Sequence, residues 1–246
     1  MRDVTTRAGA RDRVERALND AYAAGVVNGD EGSSFSIYPT GTDQRQGDSI
    51  RQLVAAEGAR RTFEVGFALG LSTLHIAAGL LDAGHQDAHH TAIDPTETWH
   101  WHSAGRRLVE RAGLDGLVEI VEEKSQAILP RWSGDDERLL SFDVAFIDGD
   151  HRFDPCFVDI FYALPLVKPG GLLVVDDMWM PSVRTAVAFF ESNVGLELLT
   201  DALPDAFHWH RRVPWRTIRS ASGNTAVLRK PLEHIERPDE HFVPFW

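Results

Sequence analysis

The sequence is poor in cysteine, lysine and long apolar runs. Its one thiol, Cys156, excludes an internal disulfide and is typical of a reducing cytoplasm. No run approaches the roughly 20 apolar residues that span a bilayer, and the first residues lack the apolar core of a signal peptide. We therefore expect a cytoplasmic protein with no membrane segment.

Positive charge is scarce as well. The formal net charge of the 246 residues is -12, and lysine occurs only at positions 124, 168 and 230. This balance argues against nucleic acid or an anionic membrane surface as a partner, and it is compatible with a cationic ligand or a metal ion. A chain of this length can bury one sizeable core.

Strand and helix signals alternate through the middle of the chain, which predicts a parallel sheet with helices on both faces. Strands are predicted at 62–66, 90–94, 118–122, 142–148 and 171–176, with two more near 196–200 and 225–229. Helices are predicted at 7–24, 71–83, 101–112, 126–131, 153–166 and 182–193. Residues 25–47 read as a polar loop, after which Asp48 could cap a short helix.

These patterns predict a central domain at 47–230 with an insertion at 201–223. An N-terminal helix and arm (1–46) precede it, and an aromatic tail (231–246) follows it.

Residues 63–73 combine a strand, an acidic residue and a glycine loop. Gly66 and Gly70 carry no Cβ, so the backbone can pass close to a bound group. The helix that follows them opens with Ser72 and offers free N–H groups to a carboxylate. We interpret this segment, with Glu64 before the loop, as one wall of a ligand site.

Ligands of open parallel sheets bind beyond the carboxyl ends of the strands, and polar residues stand at those ends here. Asp94 is placed to accept hydrogen bonds from ribose hydroxyls, unless it is an ordinary turn acid before Pro95. Ser125 and Gln126 could hold an adenine edge, or they are a helix N-cap and its neighbour.

Three carboxylates follow two strands that should be adjacent: Asp148, Asp176 and Asp177. If they converge, they repel one another unless a hard cation holds them. Oxygen ligands favour magnesium, calcium or manganese over zinc. The alternative is that the acids splay outward or cap the following helices without a metal.

Two residues near this point are candidate general bases. A histidine side chain ordinarily titrates near neutrality, so His151 could take a proton from a hydroxyl, and Asp150 is its rival. The tracts 99–102 and 208–210, in which tryptophan and histidine alternate, favour aromatic packing over metal binding, because alternating positions rarely converge on an ion.

The motifs together resemble the class I S-adenosylmethionine-dependent methyltransferases, and within them the metal-dependent O-methyltransferases typified by catechol and caffeoyl-CoA O-methyltransferases. The similarity covers roughly residues 47–193. It is carried by Glu64-Val65-Gly66 with Ser72-Thr73, by the segments Ser125–Pro130 and Phe142–Asp148, and by Lys168-Pro169-Gly170-Gly171 running into Asp176-Asp177.

The resemblance implies a Rossmann-like, doubly wound sheet of seven mostly parallel strands with an antiparallel last strand. It implies that Gly66 and its loop pass under the methionine part of S-adenosylmethionine and that Ser72 meets its carboxylate. It implies further cofactor contacts, with Asp94 on the ribose and Ser125 and Gln126 on the adenine. Glu64, Gly70 and Asp148 complete the predicted cofactor-binding set.

The resemblance also implies that Asp148, Asp176 and Asp177 hold a divalent cation, usually magnesium, which chelates the acceptor oxygens. The family commonly has asparagine where Asp177 stands, and a second aspartate there resembles the branch that modifies sugars of macrolide and aminocoumarin antibiotics. The family's lysine three residues after the first metal ligand is replaced by His151, so Asp150 stays a rival base. Relatives are often dimers, which makes a homodimer possible.

The predicted function is methyl transfer to a hydroxyl of a small molecule, either catechol-like or a sugar diol. Three alternatives stay open: a metal-independent methyltransferase, a cofactor-binding protein without catalysis, and a nicotinamide-dependent oxidoreductase. The last normally shows glycines spaced G-x-G-x-x-G, whereas here the spacing is Gly66 then Gly70. Substrate selection is expected in 1–46 and 201–246.

Overall fold

The computed structural model describes residues 5–204, 206–207, 224–233, 238 and 240–245, with side chains from residue 8 onward. The chain forms two compact units, Met1–Ser125 and Gln126–Trp246. Within the described ranges, no helix combines the length and the apolar character needed to cross a bilayer.

The first unit contains an N-terminal helix, a small hairpin and a βαβ arrangement. Its helices are α1 (Thr5–Ala24), α2 (Gln44–Ala56), α3 (Leu71–Ala83) and α4 (Ala104–Arg111). Its strands are β1 (Val26–Asn28), β2 (Ser34–Ser36), β3 (Arg61–Val65), β4 (His89–Ile93) and β5 (Val118–Val121).

Strands β5, β4 and β3 lie side by side in that order and run parallel. Thr62 of β3 is opposite His90 of β4, and Val65 is opposite Ile93. Residues on both faces of β3 and β4 are buried, as is typical of parallel strands covered on both sides. The residues after β3 and β4 therefore emerge at the same edge of the sheet.

Helix α3 is buried from Leu71 to Leu81 and is bounded by two glycines in the left-handed region, Gly70 (φ 76°) and Gly84 (φ 86°). Helix α1 is fastened to it by polar contacts: Arg11 Nη2 donates to the Leu81 carbonyl at 2.9 Å and lies 2.9 Å from an oxygen of Asp82. The predicted bounds of α3 are confirmed. Glycine adopts the left-handed conformation without a steric penalty, so the chain can change direction at both ends of the helix.

The expectation of a polar loop over residues 25–47 is wrong. Strands β1 and β2 pair antiparallel in this stretch, and α2 already begins at Gln44. The side chain of Asp43 accepts a hydrogen bond from Gln46 N at 3.0 Å, so Asp43 caps this helix and Asp48 lies inside it. A Cβ at Gly47 would overlap the His75 ring, which explains a glycine inside a helix.

Helix α4 begins three residues later than the predicted start at 101. His102 (φ 47°) and Ser103 (φ 59°) adopt left-handed backbone conformations, so the right-handed helix starts only after them. In the preceding tract, the His100 and Trp101 rings pack edge to face at 4.5 Å.

The second unit continues the alternation of helix and strand. Helix α5 (Ser125–Trp132) begins at the last residue of the first unit. The remaining elements are β6 (Phe142–Ile147), α6 (Phe153–Leu166), β7 (Val167–Val175), α7 (Pro181–Val194), β8 (Glu197–Leu198) and β9 (Ala226–Arg229). The strands lie in the order β6, β7, β9, β8.

Strand β7 starts four residues before the predicted strand. The segment Pro169-Gly170-Gly171 lies within it, at an irregularity of the pairing: Phe142 is opposite Val167, but Val144 is opposite Leu172. The extra residues of β7 form a bulge, which Gly170 accommodates with φ 78°.

Aromatic side chains join the helices of the second unit to the tail. Phe157 of α6 lies 4.8 Å from Phe190 of α7, and Phe189 packs edge to face on Phe245 at 5.3 Å between ring centroids. The side chain of Asn193 forms two hydrogen bonds with the tail backbone. Its Oδ1 accepts from Val243 N at 2.7 Å, and its Nδ2 donates to the Val243 carbonyl at 2.9 Å. Val243 and Phe245 of the tail therefore contact α7.

Strands β3 to β9 are the seven strands of the predicted sheet. Strands β3, β4 and β5 of the first unit run parallel, as do β6 and β7 of the second unit. Strand β9 runs antiparallel to β7. The Rossmann-like fold class is confirmed. The 208–210 tract, most of the 201–223 insertion and Trp246 lie outside the described residues. The predicted boundary at 46/47 falls inside α2, and the domain division remains a prediction.

Candidate functional site

The glycine loop of the first unit lies between β3 and α3. Gly66 has φ 95° and donates from its N–H to the Ile93 carbonyl at 2.9 Å. A Cβ at Gly70 would lie 3.2 Å from the Cα of Gly105 in α4. The absence of a side chain at Gly70 therefore allows α4 to pack closely against the loop. The position of Gly70 in the sequence also predicts that the backbone there leaves room for a ligand.

Asp94 holds this loop in place. Its Oδ2 accepts hydrogen bonds from Phe67 N at 3.2 Å and Ala68 N at 2.9 Å. Its Oδ1 accepts from both the N–H and the hydroxyl of Thr96, each at 2.7 Å. The carboxylate is buried and fixes the loop that follows β3, and its contact with a ribose remains a prediction.

Glu64 belongs to a fully buried polar network that spans two neighbouring strands. Its Oε1 lies 3.1 Å from His90 Nε2 and accepts a hydrogen bond from the Thr73 hydroxyl. His90 Nδ1 lies 2.8 Å from the hydroxyl of Thr62. The second oxygen of Glu64, Oε2, is buried and has no hydrogen-bond partner among the described residues. A buried lone carboxylate oxygen is costly, so it suits a cationic N–H donor of a ligand.

The remaining predicted cofactor residues lie at helix starts. Ser72 is buried in the first turn of α3, and Ser125 is buried at the first residue of α5. Gln126 is exposed, and its amide nitrogen lies 3.4 Å from an oxygen of Asp159. Their contacts with the cofactor remain predictions.

In the second unit, Asp148, His151 and Asp177 converge. Among the described residues, these three form a group in which one donor atom of each side chain lies within 4.8 Å of a donor atom of each of the other two. His151 Nε2 is 3.2 Å from Asp148 Oδ1 and 2.9 Å from Asp177 Oδ2. Two carboxylates and an imidazole are a donor set that fits a divalent cation.

The surrounding backbone orients these three side chains. Asp148 follows β6 directly, and Ser182 at the start of α7 donates to the His151 carbonyl at 2.6 Å. Asp177 has a left-handed backbone (φ 56°), and its Oδ1 accepts from the indole N–H of Trp179 at 2.8 Å. This leaves Oδ2 of Asp177 directed to the imidazole. We call Asp148, His151 and Asp177 the carboxylate–imidazole cluster.

Charge is crowded in the cluster. Burial, followed by the nearby carboxylate of Asp176, raises the pKa of Asp148. Hydrogen bonds to Asp148 and Asp177 raise the pKa of His151. Burial opposes ionisation of Asp177, but hydrogen bonds from His151 and Trp179 lower its pKa overall. A bound cation would offset the repulsion between the carboxylates, which is one cause of the raised pKa of Asp148.

Two predicted residues have other partners. Asp176 Oδ1 accepts from Asn224 Nδ2 at 2.9 Å and from the Thr225 hydroxyl at 3.0 Å, and Asp176 is not a member of the cluster. Asp150 is bound by the Arg152 guanidinium, whose Nε lies 3.0 Å from Oδ1 and 3.1 Å from Oδ2. The metal role of Asp176 and the base role of Asp150 remain predictions.

The sequence reading missed His90 and Trp179, the partners of Glu64 and Asp177. His90 could have been found from the register of the parallel strands, which sets it beside Thr62. Trp179 stands two residues after Asp177, but no sequence pattern indicates that its N–H turns back to that carboxylate. The sequence reading also overlooked Glu97, which is buried at 0% exposure and accepts from Arg106 N at 2.8 Å.

The fold and these residues define a Rossmann-like α/β protein with polar groups gathered after its strands. Residues 63–178 match the family described as methyltransferase domain. The matched range includes Glu64, the glycine loop and the whole carboxylate–imidazole cluster.

Individual relatives are O-methyltransferases. Caffeoyl-CoA O-methyltransferase 2 of Zea mays is 29% identical over 143 residues, which are 58% of this chain and 51% of that protein. Catechol O-methyltransferase of Mycobacterium tuberculosis is 31% identical over 135 residues, 54% of this chain and 55% of that one. The chain thus spans about half the length of the curated relatives it matches.

Solved structures extend the likeness of fold over most of the chain. The O-methyltransferase from Bacillus cereus in complex with SAH superposes with a TM-score of 0.60 at 20% identity, covering 89% of this chain and 91% of that one. At this identity the likeness concerns the fold, and it agrees with the seven-stranded sheet described above.

Proposed function

We propose that the protein is an S-adenosylmethionine-dependent O-methyltransferase that acts on a small molecule with neighbouring oxygens, such as a catechol or a sugar diol, with the help of a divalent cation. The observation that carries the proposal is the carboxylate–imidazole cluster, which lies within the residues that match the methyltransferase domain family. Caffeoyl-CoA and catechol O-methyltransferases among the relatives support the reaction class.

The first unit supplies the cofactor-binding residues in this proposal. The unpartnered Oε2 of Glu64 is a fitting acceptor for the ammonium group of the cofactor's methionine moiety. The first turn of α3, where Ser72 lies, offers N–H groups to the carboxylate of that moiety. Asp94 keeps the backbone of the loop in the conformation that leaves this path open.

The second unit supplies the acceptor-binding residues. Asp148, His151 and Asp177 would hold the cation, which when bound lowers the pKa of an acceptor hydroxyl and orients two neighbouring oxygens. The methyl group is already activated by the sulfonium, so the chain's own residues contribute mainly positioning, and one proton must leave the acceptor hydroxyl.

His151 is better placed than Asp150 to influence that proton. The carboxylate of Asp150 is bound by Arg152, and the Asp150 side chain belongs to a surface ion pair. The imidazole of His151 contacts two of the carboxylates that surround the proposed acceptor. Loss of the His151 ring should therefore impair transfer whichever task the ring performs.

A metal-independent methyltransferase is the second candidate. It is favoured by the two hydrogen bonds of His151, because a protonated imidazole could offset the charge of Asp148 and Asp177 without an ion. In that case the acids orient the imidazole, and a chelator leaves the rate unchanged.

The test is methyl transfer from labelled S-adenosylmethionine to a panel of catechols, sugar diols and matched mono-alcohols, with and without a chelator. We expect transfer to diols, loss of it on chelation, and recovery on adding a divalent salt. The variant Asp177→Asn should lower the rate by at least about tenfold, since it removes one charged ligand. Glu110→Gln, on the exposed face of α4, serves as the matched control.

Each other outcome points to a different alternative. Full activity after complete metal removal supports the metal-independent enzyme. Binding of the cofactor product with no transfer to any acceptor supports a non-catalytic binding protein.

A further inference from the structure

We propose that His151 is a ligand of the divalent cation and not the proton acceptor, and that the cation is therefore a transition metal ion in preference to magnesium. This inference rests on the proposed function, because it names the ion and the ligand set of the same cluster. It departs from the all-oxygen set of Asp148, Asp176 and Asp177 that the sequence indicates.

The two distances from His151 to the carboxylates match those between ligands of one ion. Nε2 of His151 lies 2.9 Å from Asp177 Oδ2 and 3.2 Å from Asp148 Oδ1. Ligands bound at about 2.1 Å lie about 3.0 Å apart along an octahedral edge and about 3.4 Å apart along a tetrahedral edge. An ion could therefore enter with small adjustments of the three side chains.

Hydrogen bonding alone serves the same three atoms less well. An imidazole carries at most one hydrogen on Nε2, and in a purely hydrogen-bonded cluster this hydrogen must be shared between two carboxylate oxygens. When the ring is neutral with its hydrogen on Nδ1, the Nε2 lone pair and both carboxylate oxygens can instead bind one cation. The convergence of three donor atoms is thus better explained by an ion than by one shared hydrogen.

Outer contacts already hold the ligands in that arrangement. The Trp179 indole occupies Oδ1 of Asp177 and leaves Oδ2 to the cluster. Ser182 anchors the His151 backbone by donating to its carbonyl. Asp176, which accepts hydrogen bonds from Asn224 and Thr225, adds negative charge near Asp148. Such supporting bonds orient metal ligands and keep them from reorganising on binding.

The nitrogen donor determines the preference among ions. Imidazole suits zinc, iron, cobalt and nickel, whereas magnesium prefers oxygen ligands and water. A ring nitrogen that binds an ion has no lone pair left for a proton. The proton of the acceptor hydroxyl then passes to water, and the reaction needs no free side-chain base.

The first experiment measures ion binding without any methyl transfer. The full-length protein is freed of metal by chelation and desalting, then titrated with Co²⁺, Mn²⁺ and Mg²⁺ in a calorimeter. We expect Co²⁺ to bind at least about tenfold more tightly than Mg²⁺, and His151→Gln to abolish most of this difference, because glutamine offers only an oxygen. His85→Gln, at a half-buried histidine outside the cluster, should keep it.

The second experiment detects the nitrogen directly. Pulsed electron paramagnetic resonance of Mn²⁺ bound to the protein should show coupling to a histidine nitrogen that is absent in His151→Gln. His151→Ala is used if the glutamine variant does not fold, as judged by its thermal unfolding. Equal affinity for Co²⁺ and Mg²⁺, no nitrogen coupling, or no ion binding at all would each overturn the inference.

These readouts are separable from the proposed function. If the bound ion couples to nitrogen but the protein methylates no diol, the ligand assignment stands and the proposed reaction is wrong. If diols are methylated with magnesium and the bound ion shows no nitrogen coupling, the proposed reaction stands and the ligand assignment is wrong.

Discussion

At the scale of single residues, Glu97 is a buried acid whose ionisation opposes folding. Burial raises its pKa from 4.5 to about 7, and the charges of Asp94 and Glu122 act in the same direction. Its Oε1 accepts from Arg106 N, while Oε2 is buried and finds no hydrogen-bond partner in the described part of the chain. Below about pH 4.5 the acid is protonated in both states. Between pH 4.5 and 7 the unfolded state ionises first, so the folded state loses stability as the pH rises.

We therefore expect Glu97→Gln to stabilise the protein at pH 8 by on the order of 1–3 kcal/mol and to have little effect at pH 4. The amide keeps an oxygen for Arg106 N and removes the buried charge. Urea unfolding of both proteins across this pH range measures the difference. Glu110→Gln should follow the wild-type profile, and an unchanged free energy of unfolding at pH 8 would contradict the account.

Glu64 gives the residue-scale prediction for cofactor binding. Replacing it with glutamine keeps the volume but removes the charge that we assign to the ammonium group of the cofactor. We expect Glu64→Gln to weaken binding of S-adenosylhomocysteine by about 10- to 100-fold, as for loss of a charge-assisted hydrogen bond. Calorimetric titration measures this. Affinity equal to wild type would show that Glu64 serves only the buried network with His90.

At the scale of elements, the glycine loop depends on how closely α4 approaches it. A Cβ at Gly105 would lie 2.6 Å from a ring carbon of Phe67 and 2.7 Å from the Ala68 carbonyl oxygen. Alanine usually improves a helix over glycine, so an opposite effect here isolates the contact with the loop.

We expect Gly105→Ala to destabilise the first unit by about 1–3 kcal/mol and to weaken binding of S-adenosylhomocysteine, because Phe67 and Ala68 must shift. Gly116→Ala is the control, since a Cβ there would meet nothing within 4 Å. Thermal unfolding and calorimetry measure the two effects. A gain in stability equal to that of an ordinary helical alanine would mean that the loop adapts without cost.

Element boundaries could be predicted where a local signal ends the element. Helix α3 begins after Gly70 and ends before Gly84, and its bounds follow from the positions of these two glycines. The start of α4 could not be predicted, because the left-handed His102 and Ser103 are set by packing and carry no glycine signal. The start of α2 was also missed, since Asp43 and Asp48 are equally good caps in sequence.

At the scale of the whole molecule, the proposed function predicts that the cofactor product stabilises the native protein. At a concentration one hundred times the dissociation constant, S-adenosylhomocysteine should add about 2.7 kcal/mol to the free energy of unfolding. Thermal unfolding with increasing ligand measures this, and adenosine alone should give a smaller shift. An unfolding temperature that ignores the ligand would contradict cofactor binding.

The alternation of apolar strands with helices, the glycine loop and the acids after the strands are local patterns. They were sufficient for the fold class and for the region of the site, because strand and helix periodicity depends on neighbours in the chain. The partners of each acid depend on residues far away. Consecutive side chains after a strand point in different directions, so Asp176 turns to Asn224 and Thr225 while Asp177 turns to His151. The left-handed backbone of Asp177 and the Trp179 indole fix that choice, and both arise from packing that no local pattern encodes.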